Sequence, residues 1–279
     1  MTWHARHREH LKGLGLGAYA EKIIARTHEE IWVTATPSES LALGQSRIGG
    51  VPDLPDGVAW PRQRWTRAEV QAWPEYACRD LDEAIASGVV TTEPGHFAAA
   101  LPFVAQLDLR DVAPFQTVLP RNGHLWLFAD QTSDGGEVGG LFCVASAWLF
   151  EPRSRPLRRA MPPPVPEQFA AGSISFAHGT AMPDFHDEHL ALPDAYWHTY
   201  ESARVAVQQP EPRHALLPGP DSGAIGDVPP PGYTALLRVD TDDALDMNWG
   251  DAAWITFAVP NAALAEHRFD GLIAIRWYG

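Results

Sequence analysis

Within residues 18–31 the apolar positions fall at Tyr19, Ile23 and Ile24 and return at Thr27 and Ile31, a spacing that predicts an amphipathic helix. Residues 37–61 change texture to Gly, Pro and short apolar pairs, which is loop chemistry. Thr66 followed by Glu69 makes a capping-box pattern and opens a helix, interrupted at Pro74 and resumed through Cys78 to Ile85. Residues 101–109, 123–129 and 141–150 are apolar runs of strand length. Five of the six residues 161–166 are Pro or Met, the composition of a rigid linker. Asp194 is placed to cap a helix over 195–207, and 209–231 is again rich in Pro and Gly. Strands are predicted at 235–240, 253–259 and 272–278, with Asn261 capping a short helix over 262–267.

One pair of segments repeats. Phe103-Val-Ala-Gln-Leu-Asp108 followed by Gly123-His-Leu-Trp-Leu-Phe128 resembles Ala235-Leu-Leu-Arg-Val-Asp240 followed by Ala252-Ala-Trp-Ile-Thr-Phe257. Each is a strand ending in Asp, a connection and an aromatic-containing strand. Internal duplication and two unrelated hairpins weigh equally here, because repeat arrays are diagnosed from three copies or more. The expected fold class is α+β, predominantly antiparallel or mixed β-sheet with flanking helices, and with duplication it becomes two similar halves packed together. The expected organisation is an N-terminal helical segment over 1–45, a first sheet-plus-helix half over 46–160 and a second over 161–279, forming one compact unit.

Charge narrows the partners. Lys plus Arg is 21 against 35 Asp plus Glu, a formal charge of −14. That field repels nucleic-acid phosphates and anionic lipid and favours solubility and cationic partners, so neither nucleic acid nor membrane is expected. Arg153, Arg155, Arg158 and Arg159 form a local exception; no aromatic interleaves them, so they read as a solvated linker. Cys78 and Cys143 belong to no CxxC pair and build no disulfide framework. The first ten residues lead into no apolar run, and no stretch approaches roughly 18 apolar residues. The expectation is a reduced, cytoplasmic, soluble protein.

Candidate chemistry is sparse. Asp240, Asp242, Asp243, Asp246 and Asp251 form the densest acidic run, but counting an EF-hand loop from Asp240 puts Leu245 where Gly is required and Asp251 where Glu is required. An acidic rim facing a basic partner, or a solvated turn, fits better. His178, His186, His189 and His198 lie in one stretch with Asp184, Asp187 and Glu188 among them, but His186 and His189 lack the His-Glu-x-x-His spacing of a zinc helix, and Pro183 and Pro193 around them disfavour a long helix, so a polar surface loop is expected. Gly44-Gln-Ser-Arg-Ile48 lacks the closing Gly of a nucleophile elbow, and Cys143 lies in an apolar run where a thiol is inert packing. Gly13, Gly15 and Gly17 follow no strand and read as a connection. No catalytic residue, metal ligand or cofactor is assigned. Most of the 11 Trp belong to cores, while Trp65 and Trp73 are the best candidates for an exposed interface, and Trp249 joins the acidic run as a binding candidate.

The segment Ser46-Arg-Ile-Gly-Gly-Val-Pro-Asp-Leu-Pro-Asp-Gly-Val-Ala-Trp-Pro61 resembles the opening motif of the YwqG-like family of bacterial proteins. The resemblance continues through Leu101-Pro-Phe-Val-Ala-Gln-Leu-Asp-Leu109, Leu119-Pro, Gly123–Phe128, His214-Ala-Leu-Leu217, Leu236-Leu-Arg-Val-Asp-Thr-Asp242 and Asn248-Trp-Gly-Asp251. Two departures stand out: Pro218-Gly219-Pro220 replaces Gly, an aromatic and Pro, and residues 62–100 are long enough to be an insertion. The resemblance implies a cytoplasmic α+β protein with no established activity, and suggests an immunity protein that neutralises a toxin. The residues carry expectations of their own. Gly49-Gly50 fits a reversal with positive φ, Trp60 before Pro61 lies extended with its ring on the core, and Gly250-Asp251 permits a tight turn whose carboxylate accepts backbone N–H groups.

Two functions follow. The first is a non-enzymatic protein-binding module that captures a basic partner such as a toxin through an acidic, Trp-bearing face. The second is a small-ligand or metal-dependent enzyme with its site between the halves, around Asp240, Trp249 and Asp251. The missing nucleophile and base favour the first.

Overall fold

Ile31 and Val33 are buried while Thr34 and Thr36 are exposed, the period of two set by the pleat, whereas residues 103–108, 235–240 and 254–259 are buried on both faces. The structure is a computed structural model that describes residues 3–73, 75–138, 141–153, 155–183, 185–186, 190–207, 214–219, 229–251 and 253–277. Its strands are β1 (His28–Pro37), β2 (Arg47–Ile48), β3 (Asp53–Pro55), β4 (Arg62–Thr66), β5 (Val90–Glu93), β6 (His96–Ala100), β7 (Phe103–Asp108), β8 (His124–Val138), β9 (Leu141–Glu151), β10 (Leu157–Arg159), β11 (Gly172–Ala181), β12 (His214–Leu216), β13 (Tyr233–Asp240), β14 (Trp254–Pro260) and β15 (Ile273–Trp277). Its α-helices are α1 (Trp3–Gly13), α2 (Ala20–Arg26), α3 (Arg67–Gln71), α4 (Glu75–Ala86), α5 (Leu109–Val112), α6 (Trp197–Val207) and α7 (Asn261–Ala265).

Ten strands close an antiparallel barrel in the order β1-β11-β2-β7-β8-β9-β15-β14-β13-β12, with β12 pairing back onto β1. The strands fill it with their own side chains: Ile31 and Val33, Leu107, Leu125 and Leu127, Val239, Ile255 and Phe257 belong to one buried cluster. Burying each such side chain stabilises the fold by about 1.5–3 kcal/mol. Asp108 ends β7 and Asp240 ends β13, and antiparallel alternation around the barrel puts them at opposite ends. The connection after each turns inward, so that Leu109, Val112 and Leu119 join the core from one end and Leu245, Met247 and Trp249 from the other.

Outward from the β9–β15 pair, the order β9-β8-β7-β2-β11 mirrors β15-β14-β13-β12-β1. In chain order β1 precedes β2 and β11 precedes β12, so each leading strand crosses to pair with the other set. The matching extends to atoms. The ladder is irregular at Val104 in β7 and at Leu236 in β13, each four residues before the terminal Asp. Gly49 N–H donates to Val104 O and Leu217 N–H to Leu236 O, both at 2.8 Å, and both residues have positive φ (66° and 49°).

Smaller layers surround the barrel. β4, β6 and β5 form a separate sheet that, with α3 and α4, encloses Val70, Leu81, Val90 and Ala99. Thr66 and Glu69 complete the expected capping box at α3, and the helix resumes as α4; Pro74 lies outside the described residues. The α1–α2 pair, joined by a turn through Gly15, packs Leu11, Leu16 and Ile23 on Tyr200 of α6.

Several expectations need correction. The α+β class with dominant antiparallel sheet holds at that level, but the main sheet is one closed barrel rather than two separate halves packed together. Closure follows from the exchanged β1 and β11, which leave neither half a sheet of its own. The segment 1–45 is not merely helical: Thr27 leaves the helix extended (ψ 132°) with its hydroxyl bonded to Ile23 O, and Ile31 belongs to β1. The aligned repeats are one residue out of step. Asp108 faces His124 and Asp240 faces Trp254, so Trp254 rather than Ala253 corresponds to His124. In a pleated strand one residue reverses the side on which a side chain stands.

Candidate functional site

The connection 241–253 alternates like a strand although it contains a 3-10 turn over Asp243–Leu245. Leu245, Met247 and Trp249 are buried, and Ala244, Asp246 and Asn248 are exposed. Backbone hydrogen bonds fix this arrangement. Asp242 N–H donates to Met247 O at 2.7 Å, Met247 N–H to Asp242 O at 3.0 Å, and Ala170 N–H to Leu245 O at 2.8 Å. Thr241 Oγ1 donates to Ala253 O (2.9 Å) and accepts from Trp249 N–H (3.2 Å). The turn needs a left-handed residue, supplied by Asp246 at φ 52°.

The acids of this run divide by role. Asp240 is buried and accepts from Arg238 Nε at 2.8 Å, while the Arg238 guanidinium stacks over Trp254 at 4.2 Å. Asp242 is buried, caps the 3-10 turn by accepting Ala244 N–H, and faces His214 Nε2 at 3.2 Å. His214 Nδ1 accepts Asp240 N–H at 3.1 Å, which puts the ring proton on Nε2, where it donates to Asp242. That bond, foremost, holds the Asp242 carboxyl below the usual carboxylate range. Both ring nitrogens are consumed, so the pair orients backbone and abstracts no proton. Asp243, Asp246 and Asp251 are exposed. Trp249 is buried in the core with its ring 5.0 Å from Phe169. The turn at Gly250 (φ 121°) is closed by Asn248 Oδ1 accepting Gly250 N–H, where Asp251 was expected.

The opposite barrel end carries the counterpart. Asp108 N–H donates to Ser46 Oγ (2.8 Å), as Asp240 does to His214, and Ser46 Oγ donates to Asp111 Oδ2 (2.6 Å). The Asp108 carboxylate accepts Arg110 N–H, Arg110 Nη2 at 2.8 Å and Arg153 Nη2. Burial pushes its pKa up, but the hydrogen bonds from Arg110 and Arg153 outweigh burial and hold it at about 2. His124 Nε2 lies 3.0 Å from Gly44 O and so carries the proton; burial pulls its pKa down.

Arg155, Arg158 and Arg159 are exposed, as a solvated linker would be, and Arg153 is half-buried, but the four are more than a linker. They pair with Asp108, Glu151, Asp56 and Asp53. Residues 157–159 add β10 to β3, and this strap covers Trp126 and Phe128 on the barrel's outer side. Beneath it Asp53 also pairs with Arg47, while Gln106 Oε1 accepts from Asp53 N–H (2.7 Å) and Trp126 Nε1 (2.9 Å). Burial pulls the Arg47 guanidinium down to about 10, against the Asp53 charge, so it stays protonated at neutral pH. The sequence signal for this strap was the Arg spacing itself, read without Asp53, Asp56 and Asp108, which lie far along the chain.

Trp65 of β4 and Trp73, just after α3, are half-buried and face each other edge-on at 5.5 Å, packed on the Val70–Ala99 cluster. His178 packs 5.1 Å from Phe115, and His186 stacks 5.3 Å from Trp197; Asp184, Asp187, Glu188 and His189 lie outside the described residues. Cys143 is buried, with its Sγ 3.8 Å from Leu141 O. Among the described residues no three His, Cys, Asp or Glu side chains converge as a metal site, and no helix is long and apolar enough to cross a membrane.

A family model described as "Domain of unknown function (DUF1963)" matches residues 46–148 and 206–276. The matched segments contain β2, β7, β8 and β12–β14, whereas the exchanged strands β1 and β11 lie outside them. No curated relative matches the chain.

Proposed function

Because the chain belongs to the DUF1963 family, for which no activity is established, we propose a function from the site itself: a non-enzymatic binding protein that presents one acidic barrel end to a basic protein. The observation that carries this reading is the division of labour in 240–251. The buried acids Asp240 and Asp242 are engaged by Arg238 and His214, and Asp243, Asp246 and Asp251 stand outward on a hydrogen-bonded turn. A rigid, like-charged rim on a chain of net charge −14 raises encounter rates with cations and disfavours anionic partners. The YwqG-like motifs fall inside the family-matched segments, and with them comes the finer reading: an intracellular immunity protein capturing a toxin by steric occlusion. The mirrored strand order and the paired Ser46–Asp108 and His214–Asp240 bonds support descent of the two halves from duplication. The ligand-dependent enzyme gains no support, because Asp240 is spent on Arg238 and Trp249 on the core.

The test is retention of proteins from native lysate on the wild-type chain and on an Asp243→Lys/Asp246→Lys/Asp251→Lys variant, at low and high salt, read by mass spectrometry. The expected result is a stoichiometric basic protein held by wild type at low salt and lost with the variant. Equal retention by both chains contradicts the assignment of this face.

A further inference from the structure

The acidic end also carries an exposed aromatic. Phe142, at the start of β9, is 78% exposed, while most apolar side chains of the barrel strands are buried. Sheet register places it. Asp240 faces Trp254, Trp254 faces Trp277, and β15 pairs with β9 through Ile275 and Cys143, the residue after Phe142. Phe142 therefore sits at the same barrel end as the turn that begins after Asp240. Side chains join the two: Arg276 Nη1 lies 3.5 Å from Gln131 Oε1, and Gln131 Nε2 donates to Asn248 O at 2.7 Å, between Asp246 and Asp251.

We propose that Phe142 is the apolar anchor of a docking surface whose rim is Asp246 and Asp251, and that its occupant is a segment of another protein with an apolar side chain flanked by Lys or Arg. This rests on the acidic-end reading above and adds the residue that gives the complex its lifetime. An exposed aromatic at the same barrel end as exposed carboxylates supplies the parts of an interface hot spot, in which a charged rim steers and excludes water while the anchor slows dissociation. Charge selects the occupant. In a twofold contact between two copies the same patch meets itself, so one acidic rim would face the other, and like charges in contact oppose association.

The probe is a panel of synthetic twelve-residue peptides bearing Leu or Phe flanked by Lys or Arg, with matched sets carrying Glu for the basic residues or Ser for the apolar one. Binding is measured on the full chain, on Phe142→Ser and on Asp246→Lys/Asp251→Lys, with far-UV circular dichroism confirming that each is folded. The expected result is that wild type binds the basic–apolar set alone and that Phe142→Ser weakens it about tenfold through faster dissociation. The charge variant should slow association instead. Loss with the charge variant but none with Phe142→Ser overturns the anchor and leaves the acidic-end reading standing. No wild-type preference for the basic–apolar set overturns the anchor, and if charge reversal is also silent the acidic-end reading fails with it. A wild-type dimer by light scattering that Phe142→Ser dissolves overturns the proposal in favour of a second copy.

Discussion

At the residue scale the chain spends its buried charges on structure. Asp108 is held at about 2 against an ordinary 3.8, so its ionised form is favoured in the folded state. A lowered carboxyl pKa stabilises the fold above the unfolded value and is lost as pH falls towards the folded one. The difference corresponds to about 2 kcal/mol, surrendered between pH 3.8 and about 2. Asp108→Asn should lose at least about 2 kcal/mol at pH 7, since Arg110 and Arg153 lose a buried partner, and its stability should be flatter across that window than wild type. Urea titrations at a series of pH values measure both. His124 acts at a different pH. Burial lowers its pKa, so the unfolded chain binds the proton more readily and stability declines as pH drops through the ordinary value of 6.5. Neither behaviour was legible in sequence, because Asp108 and Arg153 are brought together only by the return of β9.

At the element scale, local signals worked where the cause was local. The Thr66–Glu69 box is complete, and the strands ending at Asp108 and Asp240 lie where the apolar runs put them. Thr66→Ala should cost about 1 kcal/mol and speed amide exchange in α3 while leaving the barrel strands protected. What failed was long-range in origin. β1 was absorbed into the preceding helix because Ile31 happens to fit its spacing, and β11, with Gly, Ser and His among its ten residues, is a strand only because β1 and β2 flank it. The Gly49 reversal was readable from Gly49-Gly50 and is severe: a Cβ there would collide with the Ala170 carbonyl oxygen. Gly57 has a similar φ of 79° but open space. Gly49→Ala should therefore destabilise by about 1–3 kcal/mol more than Gly57→Ala in thermal melts. Equal melts would mean that only torsion matters at Gly49.

At the scale of the whole molecule, a barrel filled by its own side chains and plugged at both ends offers its surface to partners rather than its interior. The acidic run was visible in sequence as a cluster, but not its sorting. Asp240 and Asp242 are buried because Arg238, two residues back on the same strand, and His214 on the neighbouring β12 engage them, and Trp249 turned inward because the alternation of the turn points it at Phe169. Phe142 gave no sequence signal, since an apolar residue in an apolar run reads as core. These placements make one barrel end a rigid anionic surface. The most direct measurement is the ionic-strength dependence of the association rate between the full chain and the basic protein proposed as its partner, for wild type and for the Asp243→Lys/Asp246→Lys/Asp251→Lys variant. The expected wild-type rate falls steeply with salt, and the variant associates at least about tenfold more slowly at low salt with a nearly flat dependence. Superimposable salt profiles for the two chains would contradict an acidic docking end.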